Sequence, residues 1–394
     1  MAAVPGKPNR IQSTSMRYNQ VHLESIGYEL APVVVSTAEL ESRIAPVYQA
    51  LNMSPGQLEL LTGISERRWW EPGYPLSRGA AAAAKKALAN ADISASDIDV
   101  LIYAGVGRDN FEPATACAVA HELKINSDAT IYDLSNACLG VLNGIVDIAN
   151  RIELGQARAG LVVSAETARE INENVIDQMC RSKSVEFFRE SIATLTGGSG
   201  AVAVLVVGEE FSREKRRKLL GGVTQNAPQH HALCRWGIKS LLPAAVQTAE
   251  KVLGHLPAGQ QAKSLVQRGI DLGLRHVMVP FMETHAGEVL KYGVDLGFRT
   301  WKKFTHKIGW QNDELDKVIC HQVGAGHQDA MLKAFGIAPE KNFSTFEFLG
   351  NMGTVSLPLT AALAEEREFL KPGDNVGFLG IGSGLNCLML GIEW

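Results

Sequence analysis

Short apolar runs of strand length recur along this chain, alternating with stretches of helical spacing, and that alternation narrows the folds open to it. Val100 to Gly107, Thr130 to Leu134, Gly160 to Ala165 and Ala201 to Val207 read as buried strands. Ser77 to Ala91 and Cys138 to Leu154 read as helices from their length and their alanine or aliphatic spacing. Val318 to Gln322 and Asn375 to Gly380 look like corresponding strands of a second half, with Gly353 to Leu370 a helix between them. Such βαβ order predicts an α/β protein whose sheets are covered by helices on both faces. With 394 residues, 46% of them hydrophobic, the chain can bury a large core and has the length of two or three domain-sized units.

Composition removes several classes of function. A formal net charge of −4 argues against nucleic acid as a partner. The six cysteines, at 117, 138, 180, 234, 320 and 387, show neither C-x-x-C spacing nor a small-domain disulfide framework, so reduced thiols in a cytoplasmic protein are expected. The first ten residues lack the apolar core of a signal peptide, and runs such as Ala201 to Val207 are too short to span a membrane.

Cys138 is the most informative single position. In Tyr132-Asp-Leu-Ser-Asn-Ala-Cys-Leu-Gly140 a strand pattern stops at a small-residue turn and a helical pattern begins at the cysteine. A thiol at a helix start lies among unpaired N–H groups that favour the thiolate, the nucleophilic form suited to covalent acyl transfer. A buried structural cysteine is the plain alternative. Taken singly, His321 reads as a hydrogen-bonded core histidine and Asn351, before Met-Gly, as a turn residue. His327 lies on a different element from His321, and no carboxylate or thiol spacing supports a metal site.

Together these motifs point further. Ser-Asn-Ala-Cys138-Leu, Val318-Ile-Cys-His321-Gln-Val, Leu349-Gly-Asn351-Met-Gly and Leu379-Gly-Ile-Gly-Ser383-Gly-Leu-Asn occur in this order. From about Gly27 to Trp394 the chain resembles the thiolase superfamily, in its ketosynthase III branch. The resemblance implies a five-layer α-β-α-β-α sandwich of two similar halves, here 1–211 with the cysteine and 219–394 with the histidine and asparagine. It implies a Claisen condensation in which Cys138 carries the first acyl group, and His321 and Asn351 donate hydrogen bonds to the second thioester's carbonyl oxygen. The backbone N–H groups of Cys138 and Ser383 would form the oxyanion hole, with Gly382 and Gly384 permitting close approach. No cofactor is implied; thioesters of coenzyme A or of acyl carrier protein are the substrates.

Glu112 decides between subfamilies. It lies in Arg108-Asp-Asn-Phe-Glu-Pro-Ala-Thr-Ala, after a strand, in a loop that meets the partner's active site in this family. Decarboxylating members make their carbanion by losing carbon dioxide and usually lack an acid here, whereas a glutamate could remove an α-proton. The motifs around it resemble the head-to-head acyl-CoA condensing enzymes of bacterial long-chain olefin synthesis, which join two fatty acyl-CoAs into a 2-alkyl-3-oxo acid. A homodimer is implied. Val323-Gly324 after His-Gln departs from the asparagine of the fatty-acid-initiating enzymes and favours the same subfamily. The alternatives are a surface-loop carboxylate, a decarboxylating 3-oxoacyl synthase using acyl-CoA and malonyl carrier protein, and an inactive acyl-CoA-binding scaffold.

Three segments stand outside this scheme. Ser212 to Lys218 is a basic run, read as a solvated linker, with a coenzyme A phosphate contact as the alternative. Trp236 to about Arg275 exceeds the family's usual length, and its apolar residues from Ile238 to Leu256 fall at helical intervals. The expectation is a helix docked on the parent domain, with a lid or a membrane-surface helix as the lesser reading. Thr196-Gly-Gly-Ser199-Gly-Ala is a partial nucleophile elbow, but it precedes a strand where a hydrolase elbow would precede a helix.

Overall fold

A computed structural model describes residues 15–213, 217–240, 278–310 and 314–394. The strands are β1 (Ser15–Arg17), β2 (Val21–Leu30), β3 (Val33–Ser36), β4 (Glu66–Trp69), β5 (Val100–Ala104), β6 (Thr130–Leu134), β7 (Ala159–Glu166), β8 (Gly200–Gly208), β9 (Lys218–Asn226), β10 (Cys234–Ser240), β11 (Met278–Thr284), β12 (Lys317–Cys320), β13 (Asn375–Gly382) and β14 (Asn386–Glu393). The helices are α1 (Thr37–Arg43), α2 (Ala45–Ala50), α3 (Gln57–Thr62), α4 (Leu76–Ala91), α5 (Thr115–Leu123), α6 (Gly140–Glu153), α7 (Arg169–Ser182), α8 (Val185–Ser191), α9 (Ala286–Ile308), α10 (Ala325–Phe335), α11 (Phe346–Leu349) and α12 (Ser356–Glu366).

Nine strands run in the order β12-β13-β14-β9-β2-β8-β7-β5-β6, with β1 added on β9. The first half is β6-β5-β7-β8-β2, where β5 is parallel to β6 and β7 while β8 is antiparallel to β7 and β2. The second half is β12-β13-β14-β9 with β1, parallel at β12–β13 and antiparallel elsewhere. The two meet at the pair His22 and Lys218.

Period-two alternation divides each strand between two cores. Val100, Ile102, Val202, Val204 and Val206 face a central cluster, whereas Leu101, Tyr103, Ala203 and Leu205 face an outer one under α4 and α5. In the second half Phe378, Leu388 and Leu390 face the same central cluster, while Leu379, Cys387 and Met389 pack with Leu296, Phe304 and Phe335 of α9 and α10. The central cluster also takes Val141, Ile145 and Ile148 of α6 and Leu357, Leu359 and Leu363 of α12. Five layers follow: α4/α5, sheet, α6/α12, sheet, α9/α10. Every residue of α12 from Ser356 to Ala364 is buried, as a helix between two sheets requires. Each leucine there contributes roughly 1.5–3 kcal/mol by leaving water. A fourth cluster joins α1, α2, α3, α7 and α8 over the β3–β4 hairpin.

The basic run and the extra segment differ from expectation. Arg217 is buried, with its guanidinium 2.5 Å from Glu365 and 5.3 Å from the Trp394 ring, and Arg213 bonds Asp92 at 2.8 Å. Both arginines have acidic partners in the protein, and 214–216 lie outside the described residues. Residues 236–240 are strand rather than helix: β10 pairs antiparallel with β11 from Cys234–Thr284 to Ser240–Met278. Arg235 and Lys239, four apart on β10, share Glu283, at 2.5 and 3.0 Å, and both lie over Phe281, two residues from Glu283 on β11, so these side chains occupy one face of the ribbon. Cross-strand pairing there overrides the helical spacing that begins at Ile238. The rest of the predicted helix lies outside the described residues.

Candidate active site

β6 ends at Leu134, and the chain turns through Ser135–Leu139 before α6. Ala137 takes φ 45°, left-handed backbone that costs a non-glycine residue of order 1–3 kcal/mol and that persists where surrounding structure enforces it. The helix starts at Gly140, two residues later than the sequence predicts, with its first 5→1 bond from Asn143 N–H to Leu139 O at 2.9 Å.

Two threads hold this turn. The position a Cβ would take on Gly382 is 3.4 Å from Cys138 N and 3.7 Å from Cys138 Cβ, so the Gly-Ser383-Gly turn packs directly against the cysteine backbone. Asn386 Nδ2 donates to Asn136 Oδ1 at 3.0 Å, and Asn136 Nδ2 to Asn143 Oδ1 at 2.7 Å, tying that turn to the cysteine turn and to α6. Asn136 and Asn386 were missed from sequence, although each sits inside a quoted motif, because an asparagine beside a turn signals only the turn.

The Cys138 thiol departs from its sequence expectation. Burial pushes it up to about 12, and Cys234 and Glu166 add to the effect. A helix terminus contributes up to about 2 kcal/mol, whereas burial can shift a titration by 3–5 units or so; desolvation wins. The resting group is therefore the neutral thiol, and attack requires that its proton leave. Iodoacetamide labelling of Cys138 should accordingly climb about tenfold per pH unit from pH 7 to 10 without levelling off. A plateau below pH 9 would show a thiol already ionised.

His321 stands one residue beyond β12, its N–H bonded to Leu379 O at 3.0 Å. It is buried, and desolvation, with a contribution from His327, brings its imidazole down to about 3. The ring is neutral at physiological pH and carries one donor and one acceptor. Its Nδ1 has no hydrogen-bond partner among the described residues. Asn351 follows α11, where its Oδ1 accepts the Gly353 N–H at 3.0 Å, so the donor half of the amide is its NH₂. Three residues on, Thr354 Oγ1 accepts the Val141 N–H at 2.7 Å, docking this segment on the first turn of α6.

Glu166, at the end of β7, was not foreseen. It is buried, accepts N–H bonds from Val106 at 2.8 Å and Gly107 at 3.0 Å, and burial raises its carboxyl to about 7. An acid at the end of an apolar strand pattern carries no sequence signal of its neighbours. Glu112 stands apart from this cluster: it is exposed on the loop between β5 and α5, beside Phe111, which is 90% exposed. Ser199 is buried, and its Oγ accepts the Ala168 N–H at 3.0 Å, a structural role at the start of β8. Among the described residues no group of three or more metal-ligating side chains comes together.

A cysteine ahead of a central helix, with an asparagine segment docked on that helix and a histidine bonded to the strand that leads into the Gly-Ser383-Gly turn, fits a condensing enzyme of the thiolase type. Residues 305–394 match the C-terminal family model of 3-oxoacyl-[acyl-carrier-protein] synthase III. The chain is 49% identical, over 96% of its length and 100% of the relative, to the acyl-CoA:acyl-CoA alkyltransferase of Shewanella oneidensis, and 32% identical over the same shares to that of Xanthomonas campestris. A cysteine-to-serine variant of Xanthomonas campestris OleA, solved with lauric acid and lauroyl-CoA, superimposes with a TM-score of 0.82 at 31% identity, covering 96% of this chain and 100% of that one. The chain belongs to the ketosynthase III branch of the thiolase superfamily, near its acyl-CoA:acyl-CoA alkyltransferases.

Proposed function

We propose that this protein joins two fatty acyl-CoAs head to head into a 2-alkyl-3-oxo acid. Full-length likeness to the Shewanella oneidensis alkyltransferase, at 49% identity, carries this reading. Cys138 would lose its proton, attack the first thioester and release coenzyme A, holding the acyl group as a new thioester. A base removes an α-proton from the second acyl-CoA, and the resulting carbanion attacks the Cys138-bound carbonyl, forming the carbon–carbon bond and freeing the thiolate. Hydrolysis of the remaining coenzyme A thioester gives the acid.

In this scheme His321 and Asn351 donate to the second thioester's oxygen as charge develops, a role that suits a neutral imidazole and an amide whose oxygen is already engaged. The N–H groups of Cys138 and Ser383 would hold the tetrahedral oxyanion, which the contact at Gly382 favours. Glu112 would be the base, reaching the site of a second copy. Its exposure supports this, as does the open sheet edge at β6, where Ile131 is 37% exposed. An open strand edge with apolar neighbours suits pairing with another chain. Six free thiols fit a cytoplasmic location, and among the described residues no helix is long and apolar enough to cross a membrane.

Incubation with acyl-CoA alone should give the 2-alkyl-3-oxo acid by mass spectrometry. Product that appears only when malonyl carrier protein is added would install the decarboxylating alternative, which the matched C-terminal model also accommodates.

A further inference from the structure

One buried carboxylate is not used by the chemistry above. Glu166 lies at the end of β7, where its main chain is pinned by β8 and by the Trp70 indole, which donates to Glu166 O at 3.1 Å. Its side chain faces two segments. On one side its oxygens accept the N–H groups of Val106 and Gly107, at 2.8 and 3.0 Å, near the start of the β5–α5 loop that carries Glu112. On the other, a Cβ on Gly353 would lie 3.6 Å from Glu166 Cγ, and the Gly353 N–H is the group that holds the Asn351 amide.

The same loop is fastened further along. Tyr103 donates to Gly107 O at 2.8 Å, Asp109 accepts the Leu76 N–H at 2.7 Å, and Asp133 accepts the Thr115 and Ala116 N–H groups at 2.9 Å each. Between the Asp109 and Thr115 anchors the tip, with Phe111 and Glu112, is exposed. A carboxylate buried at a cost is retained where both of its oxygens are engaged, and here they are engaged by the base-bearing loop.

We infer that Glu166 is a positioning residue that sets the reach of Glu112 into the partner's site, so that its loss impairs the active site of the opposite subunit rather than its own. The inference rests on the proposed shared-site condensation. It differs from a general structural role in the subunit it damages.

Mixed dimers make the test. Glu166→Gln keeps the side chain's size and one acceptor but cannot accept both N–H bonds. The homodimer should still load an acyl group on Cys138, which also reports that it is folded, and should lose condensation by about 10²-fold, the scale of a misplaced catalytic group. Gly107→Ala should reproduce the phenotype from the loop side, since its Cβ would come 3.2 Å from Glu166 Oε2 and 2.7 Å from Leu76 Cδ1. Mixed with Cys138→Ala chains, Glu166→Gln should recover condensation, because the heterodimer pairs an intact cysteine with a loop held by the partner's intact Glu166. A Glu112→Gln and Cys138→Ala mixture is the control. Recovery in the control but not with Glu166→Gln places the damage at the subunit's own cysteine and overturns the inference. Failure of both mixtures overturns the shared site, and this inference with it.

Discussion

Replacing Cys138 with alanine should abolish condensation and leave no thioester-linked acyl group on the protein after incubation with acyl-CoA, as read by intact mass. The fold should survive, because the change removes one sulfur from a turn whose geometry is held by Gly382, Asn136 and Asn386. Cys387 should not substitute: it is fully buried on β14 in the outer core of the second half, and its thiol is likewise pushed up to about 12. Cys320 is buried on β12 in the same core. His321→Ala, by contrast, should still accept an acyl group at Cys138 and fail at the carbon–carbon bond. An alanine variant at 138 that still carries an acyl thioester would move the nucleophile elsewhere.

Glu112→Gln should keep acylation of Cys138 and lose acyl-CoA to acyl-CoA condensation by 10²-fold or so, the usual cost of a missing general base. The amide retains size and hydrogen bonding but cannot take the α-proton. Exposure of the native side chain makes a folding defect an unsuitable explanation for the loss, since surface substitutions change stability by about 0.5 kcal/mol or less. Normal condensation by this variant would remove Glu112 from the reaction and return attention to decarboxylating chemistry.

The α/β class was legible because strands buried on both faces must be apolar throughout, and the run Ala201–Val207 shows that in one dimension. The candidate set of Cys138, His321 and Asn351 stood out only through the combination of motifs in order, since neither His321 nor Asn351 is distinctive alone. Helix spacing misled at Ile238–Ser240, where pairing with Met278–Pro280 makes a strand of the first residues of a helical pattern.

Local chemistry in the sequence determined which segments became strands and helices, because periodicity is a property of neighbours along the chain. Protonation was decided by tertiary structure alone. The same Cys138 that a helix start would ionise is neutral once the second half closes over it, because desolvation outweighs a terminal dipole. Glu166 gained its partners in the same way, from a loop sixty positions earlier in the chain. Charge state and reach depend on what is packed around a group, and contacts between distant segments exist only in the folded protein.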